Sequence, residues 1–450
     1  MSVSESKEID MLHGPLLYKL IQFAIPIAHS SMLQQLFNAA DTAVVGHFAS
    51  AGALAAVGTN GELVALLVSL SAGLSVGVNV LIARQIGLGR QEEIRRAVHT
   101  ALLLSVLIGM IGLLPGIVSA RSVLLLIHTP ADILKDATLY LQLYYLGYPF
   151  LLIYDFAAAI LRAKGDSRRP FGILALSGLL NVILNLLFVI FFHMGVAGVA
   201  IATDLSNLFA ACCLLFLLTK EPGVFRLQLS ALHLHGSDIR SILAVGIPAA
   251  LQGAVFCFAN IFLQASINRF GAVATAGSAI AMNFEYFGYY VITAFGQTAT
   301  TFTSQNHAAG LHQRTTKVLL YCLLCSILCS GMITVPLTLF RQQAGSLFSA
   351  DPAVVASAGI RILCILSVEP MCSLYETPAG FLRGLGHSTL PAVLTILGTC
   401  LLRILWVLFV FPHTKTLESL FFVWPLSWII TSVLMLAATV LMCLPVHRSM

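Results

Sequence analysis

Twelve apolar runs follow one another along the chain, parted by short clusters of charged and turn-forming residues. They lie near 15–45, 53–83, 97–119, 137–162, 170–192, 195–219, 239–268, 273–304, 316–340, 354–382, 389–411 and 418–444. A helix that crosses a bilayer needs roughly 20 apolar residues, so each run is long enough to span. Composition agrees. Only 10% of the 450 residues are charged and 58% are hydrophobic, whereas a soluble domain carries about 25% charged residues. Most of this surface does not face water. The expected fold is an all-α integral membrane protein of twelve transmembrane helices, embedded in the lipid bilayer.

Basic residues orient it. Both termini and the even-numbered connections hold 17 of the 24 Lys and Arg residues, the odd-numbered connections hold 6, and Arg403 is left inside a span. The positive-inside rule places both termini in the cytoplasm. The net charge of +5 is dispersed, with no basic run to suggest nucleic acid as a partner. Met1–Leu12 has no basic region leading into a short apolar core, so it does not read as a cleaved signal peptide. The ten cysteines fall between Cys212 and Cys443. Cys322, Cys325 and Cys329 form a stripe on one helix face, best read as packing, since no His or carboxylate lies nearby in sequence to complete a metal site.

The chain repeats at a spacing of 221 to 223 residues. Pro149…Tyr154-Asp155…Leu161-Arg162-x-x-Gly165-x-Ser167-x-x-Pro170 returns as Pro370…Tyr375-Glu376…Leu382-Arg383-x-x-Gly386-x-Ser388-x-x-Pro391. Ile25-Pro26 and Asn38 return as Ile247-Pro248 and Asn260, and Asn60 and Glu62 as Asn283 and Glu285. Six crossings is an even number, so the copies enter the membrane with the same orientation. They are parallel repeats related by a pseudo-two-fold axis along the membrane normal. The expected division is residues 1–220 and 221–450, each a six-helix bundle, with a central cleft that alternately opens to each side.

The chain resembles the multidrug and toxic compound extrusion (MATE) family. The resemblance rests on Gln34-Gln35-x-x-Asn38-x-x-Asp41-Thr42-x-x-Val45-Gly46, on Leu161-Arg162-x-x-Gly165-Asp166-x-x-x-Pro170 and on Asn181-x-x-x-Asn185. Gly195-Val196-x-Gly198-Val199-Ala200-x-Ala202-Thr203 and Phe302-Thr303-Ser304-Gln305-Asn306-x-x-x-Gly310 extend it over essentially the whole chain. It implies a two-lobed exporter of amphipathic, often cationic, small molecules, driven by inward flow of protons or sodium ions. It also implies a coupling-ion carboxylate at Asp41. Many members carry aspartate where this chain has Asn185, and some carry helix-seven acids that the stretch from Gln252 to Asn260 lacks.

Ionisable groups within spans cost a few kcal/mol each and are functional candidates by default. Asp41 reads either as a proton-binding carboxylate or as a solvated acid at the outer mouth of the first helix. Asn181 and Asn185, four apart, share one helix face. Helix rise puts them roughly 16–22 Å from the inner surface, and Thr203 roughly 12 Å below the outer one. All three therefore sit in the outer half, as one ion-coupling pocket requires; the alternative is hydrogen bonding that only holds the bundle together. Asp204 is a further acid, turned about 100° from Thr203. Gln34, Asn38, Glu62, Asn283 and Glu285 are candidates for the substrate cleft, although Glu62 and Glu285 read equally well as solvated acids. Pro26, inside the long first run, is the candidate hinge. Asp155 and Glu376 read as local partners of Arg162 and Arg383, and His29 as a packed neutral imidazole. Gly73-x-x-x-Gly77 fits close helix packing.

These readings converge on a secondary-active efflux antiporter, monomeric, in a bacterial cytoplasmic membrane, needing no cofactor or metal beyond H+ or Na+. A lipid-linked saccharide flippase of similar fold is the rival within transport, but Arg361 and Arg403 alone make a thin cationic cavity. A membrane enzyme would need an acid, nucleophile or metal set clustered at one depth, and none is visible. The halves are unequal: Asp41, Asn181 and Asn185 have the non-ionising counterparts Leu263, Leu402 and Trp406. Ion coupling is thus expected in the N-terminal lobe.

Overall fold

The structure, a computed structural model, describes residues 8–448. Lys7 and the side chains of Cys443 and Arg448, used above, lie outside the described residues. Among the described residues there is no strand. The long helices are α1 Leu16–Phe48, α2 Gly52–Gly87, α3 Gln91–Leu126, α4 Leu134–Lys164, α5 Arg168–Phe191, α6 Gly195–Lys220 and α7 Gly236–Asn268. They continue as α8 Ala272–Ala308, α9 His312–Leu339, α10 Pro352–Gly384, α11 Thr389–Thr414 and α12 Leu417–Met442. Eleven of the twelve are long and apolar enough to cross a membrane. The twelfth, α8, is diluted by Asn283, Glu285 and the polar run Thr298–Asn306, most of it buried inside the protein.

Contacts group these helices into two units. One holds the described residues up to Asp10 with His29–Ala250; the other holds Met11–Ala28 with Leu251 onward. In the first, α4 is the centre and packs on α2, α3 and α6. Its buried face runs through Tyr144, Leu151, Leu152, Phe156 and Ala157–Ala159, against Val78 and Ile82 of α2 and Ala97 and Val98 of α3. Gly73 and Gly77 of α2 lie against the backbone of Ala250 and Ile242 of α7. In the second unit α8 packs on α9 and α10, and α10 on α12, with Tyr375, Leu382, Phe421 and Met435 in the core.

The repeated Leu-Arg-x-x-Gly motif is a helix stop. Gly165 ends α4 and Gly386 follows α10 in the left-handed region, with φ of 108° and 92°. Their N–H groups donate to Arg162 and Arg383 carbonyls at 3.0 and 2.9 Å. Side chains other than glycine pay a steric cost there, and the following proline restarts a helix without needing its N–H. In the first unit Asp166 then accepts from the backbone N–H of Arg168 and Arg169 at 3.0 and 3.1 Å.

Beside this turn Glu221, at the end of α6, is clasped by Lys164 and Arg169. Burial pushes the Glu221 carboxyl up, but the hydrogen bonds from Lys164 and Arg169 outweigh it and hold the group below the ordinary value of 4.5. A carboxyl lowered by folding stabilises fully above its unfolded pKa and loses that contribution as pH falls through its folded value. Glu221→Gln is therefore expected to lower the melting temperature near neutral pH. The difference from the unmodified protein should shrink below about pH 4.5. A gap that stays constant in melting curves between pH 7 and 4 would mean the pair does not couple to folding.

The helices are less regular than the sequence suggests. Turns with π-type hydrogen bonding occur at Leu187–Phe191, Ile362–Leu366, Ile396–Leu401 and Trp406–Val410. A 3-10 turn, Glu369–Cys372, interrupts α10. Such breaks re-aim side chains and gather at functional sites. In α11 Arg403 stands in the single α-helical turn Leu402–Leu405 between two of them.

Candidate functional site

Gly178 of α5 has no side chain where Phe37 of α1 crosses it; a Cβ there would overlap the Phe37 ring. One turn after Phe37 comes Asp41. On the same face of α5 as Gly178, at i+3 and i+7, come Asn181 and Asn185. The glycine contact thus sets the register in which the carboxylate and the amides meet.

They form a relay. Asn185 Nδ2 donates to Asp41 Oδ1 at 2.5 Å and to Asn181 Oδ1 at 3.2 Å. Asn181 Nδ2 donates to Thr203 Oγ1 at 3.3 Å, and Thr203 Oγ1 donates to the Val199 carbonyl at 3.0 Å. Asn181 and Asn185 are buried, and Asp41 and Thr203 half-buried. Asn185 Oδ1 is enclosed and has no hydrogen-bond partner. Among the described residues no cation pairs with Asp41.

Asp204, next to Thr203, is outside the relay. It lies against Gly147 of α4, and its enclosed Oδ1 has no partner. The 100° step between neighbours on a helix accounts for the separation. Gln34 is half-buried and Asn38 exposed on α1; Pro26 lies within α1, which continues through it. His29 is exposed rather than packed away, with its ring 6.0 Å from that of Phe171. Asp155 accepts from Ser71 Oγ at 2.6 Å, a partner on α2 that local spacing cannot reveal. Glu376 does pair with Arg383, at 3.5 Å.

Glu62 and Glu285, related by the repeat, have different surroundings. Glu62 is exposed and Asn283 half-buried. Glu285 receives Arg361 Nε and Nη2 on its two oxygens, at 2.6 and 2.8 Å, while Arg361 Nη1 donates to Ser278. Arg361 is therefore not an outer-loop charge, as its place in the sequence suggests: it is 3% exposed within the second unit. Its charge is tolerated there because a carboxylate meets it with both oxygens.

The second unit also buries Glu369 and Arg403, at 3% and 1% exposure. Glu285, Arg361, Glu369 and Arg403 line one cavity of about 110 Å³ with Trp424 and Trp428. Leu263, the counterpart of Asp41, is on its wall. The positions that match Asp41, Asn181 and Asn185 are non-ionising, but the unit around them is not free of charge. Glu369 was overlooked in sequence; the available signal was an acid beside Pro370 inside an apolar run.

The MatE family model matches residues 26–187 and, a second time, 248–408. The chain belongs to the MatE family. The two matches of this MatE chain begin 222 residues apart, within the spacing of the internal repeat. A curated relative from Thermotoga maritima, named Probable multidrug resistance protein NorM, is 28% identical over 84% of this chain and 82% of its own length. A relative from Shewanella oneidensis, named FAD transporter, is 27% identical over 79% of each. One solved structure is described as the outward-facing conformation of a multidrug resistance MATE family transporter of the MOP superfamily. It superposes with a TM-score of 0.91 at 20% identity, covering 98% of this chain and 99% of that one. At that identity the likeness speaks to the fold: all-helical, with twelve helices in two lobes. This MatE chain is a multi-pass membrane transporter, and its curated relatives are transporters rather than enzymes.

Proposed function

We propose that this protein is a secondary-active efflux antiporter that moves amphipathic small molecules, organic cations among them, out of the cell against inward protons carried by Asp41. It works as a monomer in a bacterial cytoplasmic membrane, with both termini in the cytoplasm and no cofactor but the coupling ion. The observation that carries this reading is the relay: a carboxylate with no cationic partner, held by a neutral amide whose own acceptor is unused. An amide donates through nitrogen and accepts through oxygen. Asn185 thus donates to the Asp41 carboxylate and, turned over, accepts from the protonated acid. Both protonation states have a partner, which suits a group that must gain and lose a proton in each cycle.

Protonation weakens the hold of Asn185 on Asp41. The C-terminal half of α1 is then released to rearrange about Pro26, where the ring removes one backbone hydrogen bond. Proton binding and substrate release are coupled through that helix. One carboxylate and neutral oxygens make a poor cage for sodium, since hard cations take several oxygen ligands and favour carboxylates. The relatives named for multidrug resistance support the cargo class. The flippase reading is weaker, because Glu285 neutralises Arg361.

The test is export of a fluorescent organic cation from proteoliposomes under separately imposed pH and sodium gradients. A pH gradient alone is expected to drive transport and a sodium gradient alone to have no effect. Transport driven by sodium alone reassigns the ion, and no response to either gradient removes the antiporter reading.

A further inference from the structure

Two arginines share the cavity of the second unit, and they are treated differently. Both stack near the face of Trp424, with Arg361 at 5.3 Å and Arg403 at 5.0 Å from the ring centre. Arg361 spends its donors on Glu285 and Ser278. Arg403 makes one hydrogen bond, from Nε to Ser427 Oγ at 3.2 Å, and its enclosed Nη1 and Nη2 have no partner. Arginine stays protonated in proteins, so this is a positive charge held out of water with the donors of both terminal nitrogens unused. Buried cations normally have a counter-charge.

Among the described residues no carboxylate hydrogen-bonds or ion-pairs with Arg403. Glu369 is on the same cavity wall, but it makes no ion pair with Arg403, and its enclosed Oε2 is itself unpartnered. We propose that the cavity binds the carboxylate or phosphate group of an amphipathic organic anion, with Arg403 Nη1 and Nη2 as its two donors. A guanidinium presents parallel donors that match the paired oxygens of either group. At about 110 Å³ the space takes an acid group and a ring rather than a drug-sized molecule, for which pockets run to roughly 300–1,000 Å³. Trp424, Trp428 and Phe256 give the apolar part flat surfaces. The anion comes either from an exported solute or from a phospholipid headgroup.

Two of the chain's three tryptophans line the cavity, so binding can be read from intrinsic fluorescence of the purified full-length protein in neutral detergent. Benzoate and phenyl phosphate are expected to change that fluorescence saturably. Neutral benzamide should bind about tenfold or more weakly, the factor that one charge-assisted pair supplies. Arg403→Met should lose the preference for anions, and Arg403→Lys, which keeps the charge without the fork, should lose less. If Arg403→Met does not fold, the comparison of benzoate with benzamide on the unmodified protein still decides. Displacement of benzoate by a short-chain phosphatidylglycerol, but not by the matching uncharged diacylglycerol, assigns the site to a lipid headgroup; its absence assigns the site to a solute. Equal affinity for benzoate and benzamide, binding unchanged in Arg403→Met, or no binding of any probe overturns the proposal. No gradient enters this measurement, so its failure leaves the antiporter reading standing, and the reverse also holds.

Discussion

Asp41→Asn is expected to abolish gradient-driven export while leaving the protein folded in the membrane. The substitution keeps the shape of the side chain and an oxygen that can accept from Asn185 Nδ2, now 2.5 Å away. What it removes is the ability to bind and release a proton. If the proton gradient drives transport through this group, concentrative export in proteoliposomes should fall to background. Stability should change little. A half-buried carboxylate without a cation costs desolvation, and the amide avoids that cost, so the melting temperature should hold or rise. Loss of transport together with loss of folding would not distinguish a coupling group from a structural one, which is why the melting curve belongs to the experiment. Undiminished export in a folded Asp41→Asn protein would take Asp41 out of the mechanism.

The proximity of these groups was legible as geometry. A four-residue spacing puts Asn181 and Asn185 on one face, and a rise of about 1.5 Å per residue puts them in the same half of the membrane as Thr203. The hydrogen bonds among them follow that layering. What spacing could not supply is the contact that brings α1 to α5, because Gly178 meets Phe37 across 141 positions of sequence. The second unit was harder to read, and the repeat itself misled. Stepping back 221 residues from Arg361, Glu369 and Arg403 leads to Tyr140, Tyr148 and Val182. The first half therefore has no counterpart to point at them. Arg361 also sits at the edge of an apolar run, where an arginine ordinarily belongs to a loop. Only its partner, Glu285, reveals that it faces inward. The π turns flanking Arg361 and Arg403 depend on tertiary packing, and hydrophobic periodicity carries no trace of them.

Glu285→Ala should destabilise the protein more than any surface substitution, by about 3–5 kcal/mol. The reason is what remains rather than what is removed. Arg361 is 3% exposed and would keep its charge with only Ser278 as a polar partner, between the rings of Phe421 and Trp424 at 5.5 and 5.3 Å. Water cannot screen it as it screens an exposed pair, for which the loss is about 0–1 kcal/mol. Arg361→Met alone should cost less, since the Glu285 side chain is 13% exposed and is less deeply enclosed than Arg361. The double replacement Glu285→Met and Arg361→Met should recover much of the loss, because it removes both charges and fills the space with apolar atoms. Thermal melting of the unmodified protein, Glu285→Met, Arg361→Met and the double replacement in one detergent closes a double-mutant cycle. A coupling of several kcal/mol is the expected result. Because the pair joins α8 to α10 just ahead of the π turn Ile362–Leu366, the same variants should also loosen the start of that turn, visible as faster amide exchange there. A loss below about 1 kcal/mol for Glu285→Ala, the scale of an exposed pair, would mean that water reaches Arg361 and that the second unit is more open than its buried charges imply.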